Sequence, residues 1–220
     1  KKGYPHSKLH HIPNAIDTDR FKPDPKARIS IRNELGIANN APLIGLIARI
    51  HPMKDHLTFL SAAKILIKKT PNVRFICAGD TSAGYSTLKT LIRSTATDLG
   101  LDEHVFWIGS RNDPEKLMAA CDITTLTSDS GEGFPNSVAE SAACGVPCVA
   151  TDIGDSSNIV SNFVAVVPPK NPNALAIAWQ SALDLDPNET SQIAVKMRQS
   201  IIDRFSCETI ADLTLKALIR

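Results

Sequence analysis

The stretch of sequence that decides the fold is GEGFPNSVAESAACGVP, residues 131–147. The segment before it, Asp122–Leu126, predicts a buried strand, and Val146–Ala150 at its end predicts another. Between these strands a loop, Thr127–Gly133, leads into a predicted helix, Pro135–Cys144. A strand, a helix and a second strand in this order are typical of a crossover unit, in which the two strands run parallel.

The start of this predicted helix has the features of a phosphate-binding site. Gly131 and Gly133 permit close backbone approach on either side of Glu132. Pro135 suits the first helical position because its missing N–H would have no intrahelical partner there. A helix start carries a partial positive charge that can hold phosphate. The N–H groups that would point out of it are those of Asn136, Ser137 and Val138. A simple loop-to-helix turn is the alternative interpretation.

The same alternation of strands and helices extends outward in both directions. The other predicted strands are Ala41–Ile50, Val73–Ala78, His104–Gly109 and Phe163–Val167. The other predicted helices are Lys54–Lys69, Ser86–Leu99, Asp113–Ala120, Ala174–Leu185, Glu189–Phe205 and Cys207–Ile219. Alternation of this kind predicts an α/β fold with a Rossmann-like doubly wound parallel sheet. Ligands bind such sheets at the carboxyl ends of the strands, near the point where the strand order reverses.

The composition is that of an ordinary globular protein. Of the 220 residues, 43% are hydrophobic and 21% are charged, and the formal net charge is +1. This balance does not favour a nucleic-acid partner. No apolar run approaches the ~20 residues of a membrane span, and the first residues lack both a signal peptide and an initiator Met. We therefore expect a cytoplasmic protein without a transmembrane segment, whose chain begins partway through a longer one.

The cysteines and histidines do not predict a metal site. The five cysteines form no Cys-x-x-Cys pair, and several lie in strongly apolar segments. This pattern indicates reduced, mostly buried thiols. His10 and His11 are adjacent, but a strand would place them on opposite faces. We expect no metal and no other cofactor.

Two glutamates flank the predicted phosphate site, with seven residues between them. Glu132 lies in the loop and Glu140 in the second turn of the predicted helix. A carboxylate suits a hydroxyl donor and not a phosphate, so each would hold a sugar or ribose hydroxyl. The alternative is that both are solvated charges that favour a helix N-terminus. That alternative is weaker for Glu140, which lies deeper and has alanine neighbours.

Two basic residues follow a neighbouring strand. Arg49 ends the predicted strand Ala41–Ile50, and Lys54 opens the next predicted helix. Lys at a helix N-terminus opposes the helix dipole at a cost of roughly 0.3–1 kcal/mol, and a bound anion would reverse the sign. Arg offers phosphate a planar fork and Lys a mobile point charge. With the site in residues 135–138, these side chains predict a diphosphate held between two neighbouring strand ends.

Several common nucleotide-binding and hydrolytic motifs are absent from the sequence. No Gly-x-Gly-x-x-Gly turn follows a strand, and no loop ends in Gly-Lys-Ser or Gly-Lys-Thr. This disfavours dinucleotide oxidoreductases and ordinary ATPases. No Gly-x-Ser-x-Gly elbow occurs, so a hydrolase triad is unsupported.

Five segments, in order, resemble one known family. They are IPNAIDTDRF (Ile12–Phe21), ARIHPMKDH (Ala48–His56), FICAGD (Phe75–Asp80), WIGSR (Trp107–Arg111) and EGFPNSVAESAACGVPCVATDIG (Glu132–Gly154). The chain resembles the C-terminal, donor-binding domain of GT-B fold glycosyltransferases of family 4 (glycosyl transferases group 1), which are retaining and metal-independent. The last segment contains that family's Glu-x7-Glu pattern. The order and spacing of the segments are more specific than any one of them.

The resemblance implies a role for each candidate residue. Arg49 and Lys54 would bind the donor diphosphate and stabilise the departing nucleotide, and Glu132 would contact sugar hydroxyls; these are the candidate catalytic residues. Glu140 would hold the ribose hydroxyls. The turn at Ser110 and Arg111 would lie against the base, chiefly through backbone groups. The remaining donor-binding candidates are Gly133, Phe134, Asn136, Ser137 and Val138.

The sequence departs from the family pattern at two positions. The family commonly has Gly-Gly after Thr-Asp-x, followed by a Glu a few residues later. This chain has Gly154-Asp155, and Asn158 stands where that Glu often falls. The departure puts the neighbouring wall of the site in doubt, but not the diphosphate site.

The resemblance also implies a domain organisation and a function. Residues 1–25 would lead in from a missing N-terminal domain, residues 26–205 would form the donor-binding domain, and residues 206–220 a C-terminal helix. The chain would be the donor half of a hexosyltransferase that uses a UDP-, GDP- or ADP-sugar and a glycan or lipid-linked acceptor, as in surface polysaccharide or glycolipid synthesis. It would be inactive alone, and peripheral attachment to the inner membrane face stays open. A GT-B sugar-nucleotide epimerase half and a non-catalytic nucleotide-binding module are the alternatives.

Overall fold

The computed structural model describes residues 9–81, 84–160 and 165–219. The strands are β1 (Leu43–Ile47), β2 (Arg74–Ala78), β3 (Val105–Gly109), β4 (Ile123–Leu126), β5 (Cys148–Thr151) and β6 (Val166–Val167). The helices are α1 (Pro25–Glu34), α2 (His56–Leu66), α3 (Ser86–Asp98), α4 (Pro114–Ala120), α5 (Asn136–Ala143), α6 (Ser156–Val160), α7 (Pro172–Leu183), α8 (Pro187–Phe205) and α9 (Cys207–Leu218). A 3-10 turn, Pro52–Lys54, lies between β1 and α2.

The described strands form a six-stranded parallel sheet in the order β3-β2-β1-β4-β5-β6. The order reverses at the centre, where β1 lies beside β4 and Ile44 pairs with Ile123. The connections from these two strands lead to opposite sides, so a crevice opens between their carboxyl ends. The predicted α/β fold with a doubly wound parallel sheet is confirmed.

Both faces of the sheet are covered by helices, which explains why its strands are mostly apolar and buried. One face packs against α1, α4, α5 and α8, and the other against α2, α3 and α7. On the second face Phe59, Phe75 and Trp179 form a cluster of edge-on and tilted rings. The indole N–H of Trp179 donates to Thr125 Oγ1 at 2.9 Å, so this fully buried side chain has no unsatisfied donor.

The sequence prediction missed α1, whose position depends on distant contacts. Asp24 caps the helix by accepting from the Ala27 N–H, and few apolar residues follow. Instead, the fully buried Arg32 donates to Asp122 Oδ2 at 2.7 Å and to the Ala41 carbonyl at 2.8 Å. Asp122 Oδ2 also accepts from the Leu43 N–H at 2.7 Å. This network joins α1 to the starts of β1 and β4.

Several predicted boundaries were wrong, and two of them affect the site. Lys54 does not open α2: it ends the 3-10 turn, and Asp55 (φ 43°) caps α2 by accepting from the Thr58 N–H. Pro135 is not the first helical residue of α5 but its N-cap. The short helix α6 was not predicted, and the predicted strand Phe163–Val167 is observed only as Val166–Val167, since residues 163 and 164 lie outside the described ranges.

Four of the five cysteines are buried and all five are free, as predicted for reduced thiols. Burial raises the pKa of Cys144 and Cys148 to about 12, so both are protonated at neutral pH. Cys207 is the exception, because it is exposed at the start of α9.

The two ends of the described chain meet beside α8. The Ile16 N–H donates to the Phe205 carbonyl at 2.8 Å, and Ser206 caps α9 through the Thr209 N–H. Helix α9 carries exposed apolar side chains, among them Leu215 and Leu218. None of the helices in the described ranges is long and apolar enough to cross a membrane. The division at residues 25 and 205 stays a prediction.

Candidate functional site

The loops that follow β1 and β4 are hydrogen-bonded to each other at the central crevice. Thr127 Oγ1 donates to the Lys54 carbonyl at 2.7 Å, and the Asp129 N–H donates to the Met53 carbonyl at 2.9 Å. A Cβ at Gly131 would lie 2.8 Å from Met53 Cε, so the loops approach closely at that glycine, which also has φ +74°. The two predicted phosphate-binding segments therefore lie side by side.

Lys54 and Glu132 form an ion pair across this crevice. Their side chains are only 16% and 10% exposed, so the pair is largely shielded from solvent. Ser128 Oγ donates to the same carboxylate oxygen, Oε1, at 2.6 Å. Within the described ranges no hydrogen bond reaches the other oxygen, Oε2. Glu132 is thus fixed on one side and keeps an acceptor free on the other.

The turn that carries Lys54 leads into a buried histidine. His51 Nδ1 accepts from the Met53 N–H at 3.3 Å, which caps the turn from its start. Two residues after Lys54, His56 is 2% exposed, and its Nδ1 has no hydrogen-bond partner. Burial, with a smaller contribution from the nearby Lys54 charge, lowers the pKa of His56 to about 4. His56 is therefore neutral at physiological pH.

Arg49 lies on the other side of the β1 end. It lines a cavity of about 480 Å³ together with Gly79, Ser110 and Arg111. Its side chain is exposed and makes no hydrogen bond or ion pair in the part of the chain that the structure describes. A Cβ at Gly79 would lie 2.1 Å from the Ala48 carbonyl oxygen, so only glycine permits this approach of β2 to the residue before Arg49. The Arg49 guanidinium is available to an anion in the cavity.

The Arg111 side chain, by contrast, is already hydrogen-bonded to carboxylates of the protein. It donates to both oxygens of Asp113, at 2.8 and 2.9 Å, and to Glu34 at 2.5 Å. These carboxylates raise the pKa of Arg111 above its ordinary value. The side chain is therefore bound within the protein, and Ser110 and Arg111 face the cavity mainly as a turn. That the turn would meet a base through its backbone groups stays a prediction.

The start of α5 offers fewer free N–H groups than predicted. Because Pro135 is the N-cap, its carbonyl accepts from the Val138 N–H at 3.1 Å. The N–H groups of Asn136 and Ser137 have no partner among the residues that the structure describes. The Asn136 side chain also accepts from Asn14 Nδ2 at 2.9 Å. Two backbone donors remain for a ligand at this helix start.

Glu140 is half-buried, and no protein donor in the described ranges bonds its carboxylate. Burial raises the pKa of its carboxyl group; Arg20 opposes the shift, and Glu115 adds to it. Arg20 is itself held by Glu115 at 3.0 Å and by the Asn112 carbonyl at 3.0 Å. Sequence reasoning missed Arg20 and Glu115 as neighbours of Glu140. Arg20 lies in the quoted segment Ile12–Phe21, but no local pattern connects it to Glu140.

The loop after β5 supports the loop that carries Glu132. The Asp155 N–H donates to the Gly133 carbonyl at 2.8 Å. Gly154 has φ +60°, and a Cβ there would lie 2.4 Å from the same carbonyl oxygen. Phe134 packs edge-on against Phe205 of α8, with ring centroids 5.1 Å apart. These contacts with the loop after β5 and with α8 thus fix the backbone of residues 132–134.

No cluster of three or more His, Cys, Asp or Glu side chains that could hold a metal ion occurs in residues 9–81, 84–160 and 165–219.

Comparison with known proteins identifies the class that this fold and site belong to. A family model described as glycosyl transferases group 1 matches residues 27–201, most of the chain. The chain belongs to this family, and its fold is that of the C-terminal domain of GT-B glycosyltransferases.

The chain is similar to two curated proteins of this family. It is 30% identical over 217 residues to the GDP-mannose-dependent alpha-(1-6)-phosphatidylinositol monomannoside mannosyltransferase of Mycolicibacterium smegmatis, covering 93% of this chain and 54% of that protein. It is 30% identical over 162 residues to the UDP-Gal:alpha-D-GlcNAc-diphosphoundecaprenol alpha-1,3-galactosyltransferase of Escherichia coli, covering 70% of this chain and 39% of that protein. The chain therefore spans about half the length of these relatives or less.

A solved structure shows the same architecture with ligands. The crystal structure of Anabaena HepE in complex with UDP and glucose superposes with a TM-score of 0.86 at 29% identity, covering 94% of this chain and 56% of that chain.

Proposed function

We propose that the chain is the donor-binding half of a retaining glycosyltransferase. It would move a hexose from a nucleoside diphosphate sugar to a glycan or lipid-linked acceptor. The observation that carries the proposal is the set of unused groups around the carboxyl end of β1, at the crevice beside β4 and in the cavity on the other side. These are the Arg49 guanidinium, the Glu132 Oε2 atom, the Glu140 carboxylate and the free N–H groups at the start of α5.

Each group suits one part of a nucleotide-sugar. Arg49 forms a planar fork for phosphate oxygens, and the N–H groups of Asn136 and Ser137 add a partial positive charge. An ammonium has three donors, so Lys54 can hold Glu132 and a phosphate oxygen at once. Glu132 Oε2 accepts a sugar hydroxyl, and Glu140 accepts the ribose hydroxyls.

The reaction breaks the bond between the anomeric carbon and the diphosphate oxygen and forms one to the oxygen of an acceptor hydroxyl, whose proton passes to the departing diphosphate. Negative charge develops on the departing diphosphate, and the fixed cations Arg49 and Lys54 stabilise it without reorganisation. In this proposal they supply the charge that a metal ion supplies in other transferases, so no cofactor is needed.

The relatives and the turn at Ser110 both bear on the base and the sugar of the donor. The two curated relatives use UDP-galactose and GDP-mannose, as their names state, and HepE is solved with UDP. Because the Arg111 side chain is bound to Asp113 and Glu34, the base would meet mainly backbone of the turn at Ser110. Backbone contacts discriminate weakly between bases, so we propose a UDP-, GDP- or ADP-linked donor.

The acceptor and the rest of the active site would come from a second, N-terminal domain of the GT-B fold. We propose that the present chain binds donor alone but transfers little or no sugar without that domain. A cytoplasmic location, in reach of nucleotide-sugar pools and of a lipid-linked acceptor at the inner membrane face, fits this function.

Isothermal titration of the chain with UDP-, GDP- and ADP-sugars in the presence of a chelator tests the proposal. We expect at least one to bind without metal, and Arg49→Gln and Glu140→Gln to weaken that binding at least about tenfold, a loss of about 1.4 kcal/mol. Arg74→Gln and Glu103→Gln are matched controls, because these residues lie near the amino ends of β2 and β3, away from the crevice. If no compound binds, or if Arg49→Gln and Glu140→Gln bind like wild type, the proposal is wrong.

A further inference from the structure

The turn that carries Lys54 begins at a histidine that has no role in the proposed donor site. His51 precedes the 3-10 turn Pro52–Lys54, and its Nδ1 atom accepts from the Met53 N–H at 3.3 Å. We propose that His51 is a positioning residue for the donor diphosphate, which acts by fixing Lys54 and does not contact the ligand. The inference rests on the proposed function and adds a residue to the same site.

The turn depends on a side-chain acceptor at its start. Pro52 has no N–H, and the Lys54 N–H already donates to the His51 carbonyl at 2.9 Å. The Met53 N–H is therefore the donor that the backbone of the turn leaves without a partner. His51 Nδ1 accepts from it, as a side chain at a helix N-cap does. Without this acceptor, the turn would lose its anchor on the β1 side.

The end of the turn has an uncommon backbone conformation. Asp55 has φ 43°, in the left-handed region that residues other than glycine seldom adopt. Its carboxylate holds this conformation by accepting from the Thr58 N–H at 3.1 Å and from Thr58 Oγ1 at 2.6 Å. Because three residues of turn pass directly into this conformation, the Lys54 backbone is held by one cap on each side. Loss of the His51 cap would leave it held on one side.

The backbone position of Lys54 matters because its ammonium has two tasks. The ammonium is ion-paired with Glu132, and in the proposed site it also binds a phosphate oxygen. The Met53 carbonyl, one residue earlier, accepts from the Asp129 N–H of the loop after β4 at 2.9 Å. A shift of this turn would change the reach of Lys54 towards the phosphate, while Glu132 would still attract the ammonium. The His51 cap therefore favours the arrangement in which both partners are reached.

The His51 ring is itself held by Tyr85, which lies directly before α3. The two ring centroids are 4.8 Å apart and the ring planes meet at 67°, an edge-on contact. The loop after β2 is also joined to the end of β1, because the Ile50 N–H donates to the Asp80 carbonyl at 3.0 Å. These contacts lie within the protein, so the His51 cap is set before a ligand arrives.

Isothermal titration of the chain with UDP, GDP and ADP in the presence of a chelator tests the inference, with the compound that binds wild type most tightly. We expect His51→Ala to weaken binding about fivefold, or about 1 kcal/mol, as for the loss of an N-cap. His51→Asn should bind within about twofold of wild type, because the asparagine side-chain oxygen is a good N-cap acceptor.

A double-mutant cycle shows whether His51 acts through Lys54. Lys54→Met should bind more weakly but measurably, since Arg49 and Glu140 remain. In that background His51→Ala should cause no further loss, because the group that it positions is gone. Losses that add fully would show that His51 acts on the nucleotide independently, and would overturn the inference. If His51→Ala does not fold, Tyr85→Leu replaces it: this variant should weaken binding about twofold, and wild-type affinity would overturn the inference.

His104→Ala is the matched control. His104 is also half-buried, with its Nδ1 atom 3.0 Å from the Val73 carbonyl, but it lies before β3 at the other end of the sheet. This variant should keep wild-type affinity. Wild-type affinity in His51→Ala, or no recovery in His51→Asn, would overturn the inference alone if Arg49→Gln and Glu140→Gln still weaken binding. If none of the three nucleotides binds the wild-type chain, the proposed function is wrong.

Discussion

The Lys54 ammonium is ion-paired with the Glu132 carboxylate across the point where the sheet order reverses, and Ser128 donates to the same oxygen. The two residues are 78 positions apart in the sequence and come from the loops after β1 and β4. Sequence reasoning assigned one to phosphate and the other to sugar, but gave no reason for them to touch. Their contact means that each charge holds the other in place before any ligand arrives.

We predict that Lys54→Met destabilises the chain by about 2–3 kcal/mol, because it leaves a shielded carboxylate without its cation. Chemical denaturation of wild type and variant measures this difference. The double variant Lys54→Met/Glu132→Leu should recover most of the stability, since neither charge is then buried alone, but should not recover nucleotide-sugar binding. Equal stabilities of wild type and Lys54→Met would show that the pair contributes nothing to the fold.

Gly154→Ala should damage the donor loop, because the new methyl group would lie 2.4 Å from the Gly133 carbonyl oxygen. The matched control is Gly36→Ala, which has a similar φ of +65° but no atom within 4 Å of the added carbon. The control should lose only the cost of a left-handed alanine, about 1–2 kcal/mol, and keep wild-type nucleotide affinity. Gly154→Ala should lose more stability and also bind nucleotide more weakly. Thermal unfolding and titration give the two readouts, and indistinguishable variants would contradict the prediction.

Glu140→Gln should stabilise the free chain at neutral pH while weakening nucleotide binding. Burial raises the pKa of the Glu140 carboxyl, so the folded state binds this proton more tightly than the unfolded state does. The contribution of this group to stability is therefore present at low pH and lost as the pH rises through the folded pKa. We expect the variant to gain roughly 0.5–2 kcal/mol at pH 7 and to show less decline in stability from pH 4 to pH 7. A variant that is less stable than wild type at pH 7 would exclude this account.

His56 should make the chain sensitive to acid. Its pKa is lowered to about 4 in the folded state, from an ordinary value of 6.5, so the unfolded state binds more protons between these values. The contribution of His56 to the free energy of unfolding is therefore complete above about pH 6.5. As the pH falls towards 4, this free energy decreases by on the order of 3 kcal/mol. In His56→Leu, the slope of unfolding free energy against pH should be smaller between pH 6.5 and pH 5. An unchanged slope would show that His56 is not the group responsible.

Much of the fold could be predicted because its signals are local. Runs such as Val73–Ala78 are apolar at every position except Arg74, as expected of strands covered on both faces, and the order of strands and helices then predicts a parallel sheet. Helix α1 could not be predicted in this way. It is held by the buried Arg32 and its bonds to Asp122 and to carbonyls near β1, and no local pattern shows that an arginine will be buried 90 positions from its partner.

The candidate site was predictable as a set of residue types and less so as an arrangement. The motif around Glu132 and Glu140 supplied the candidate carboxylates, and the structure places Glu132 at the crevice against Lys54. The position of Lys54 depended on Asp55 adopting a left-handed conformation, which is uncommon outside glycine, so the helix start was placed two residues too early. The hydrogen bonds of Arg111 to Asp113 and Glu34 likewise depend on the folded structure, and the spacing of residues in the sequence does not predict them.

The central claim is that a nucleoside diphosphate binds between the ends of β1 and β4. A crystal structure of the chain with the tightest-binding nucleoside diphosphate, prepared without metal, tests it most directly. The account predicts phosphate oxygens within hydrogen-bonding distance of the Arg49 guanidinium and the Ser137 N–H, and ribose hydroxyls on the Glu140 carboxylate. A nucleotide bound away from Arg49 and Glu140, or a diphosphate that requires a metal ion to bind in the crevice, would contradict it.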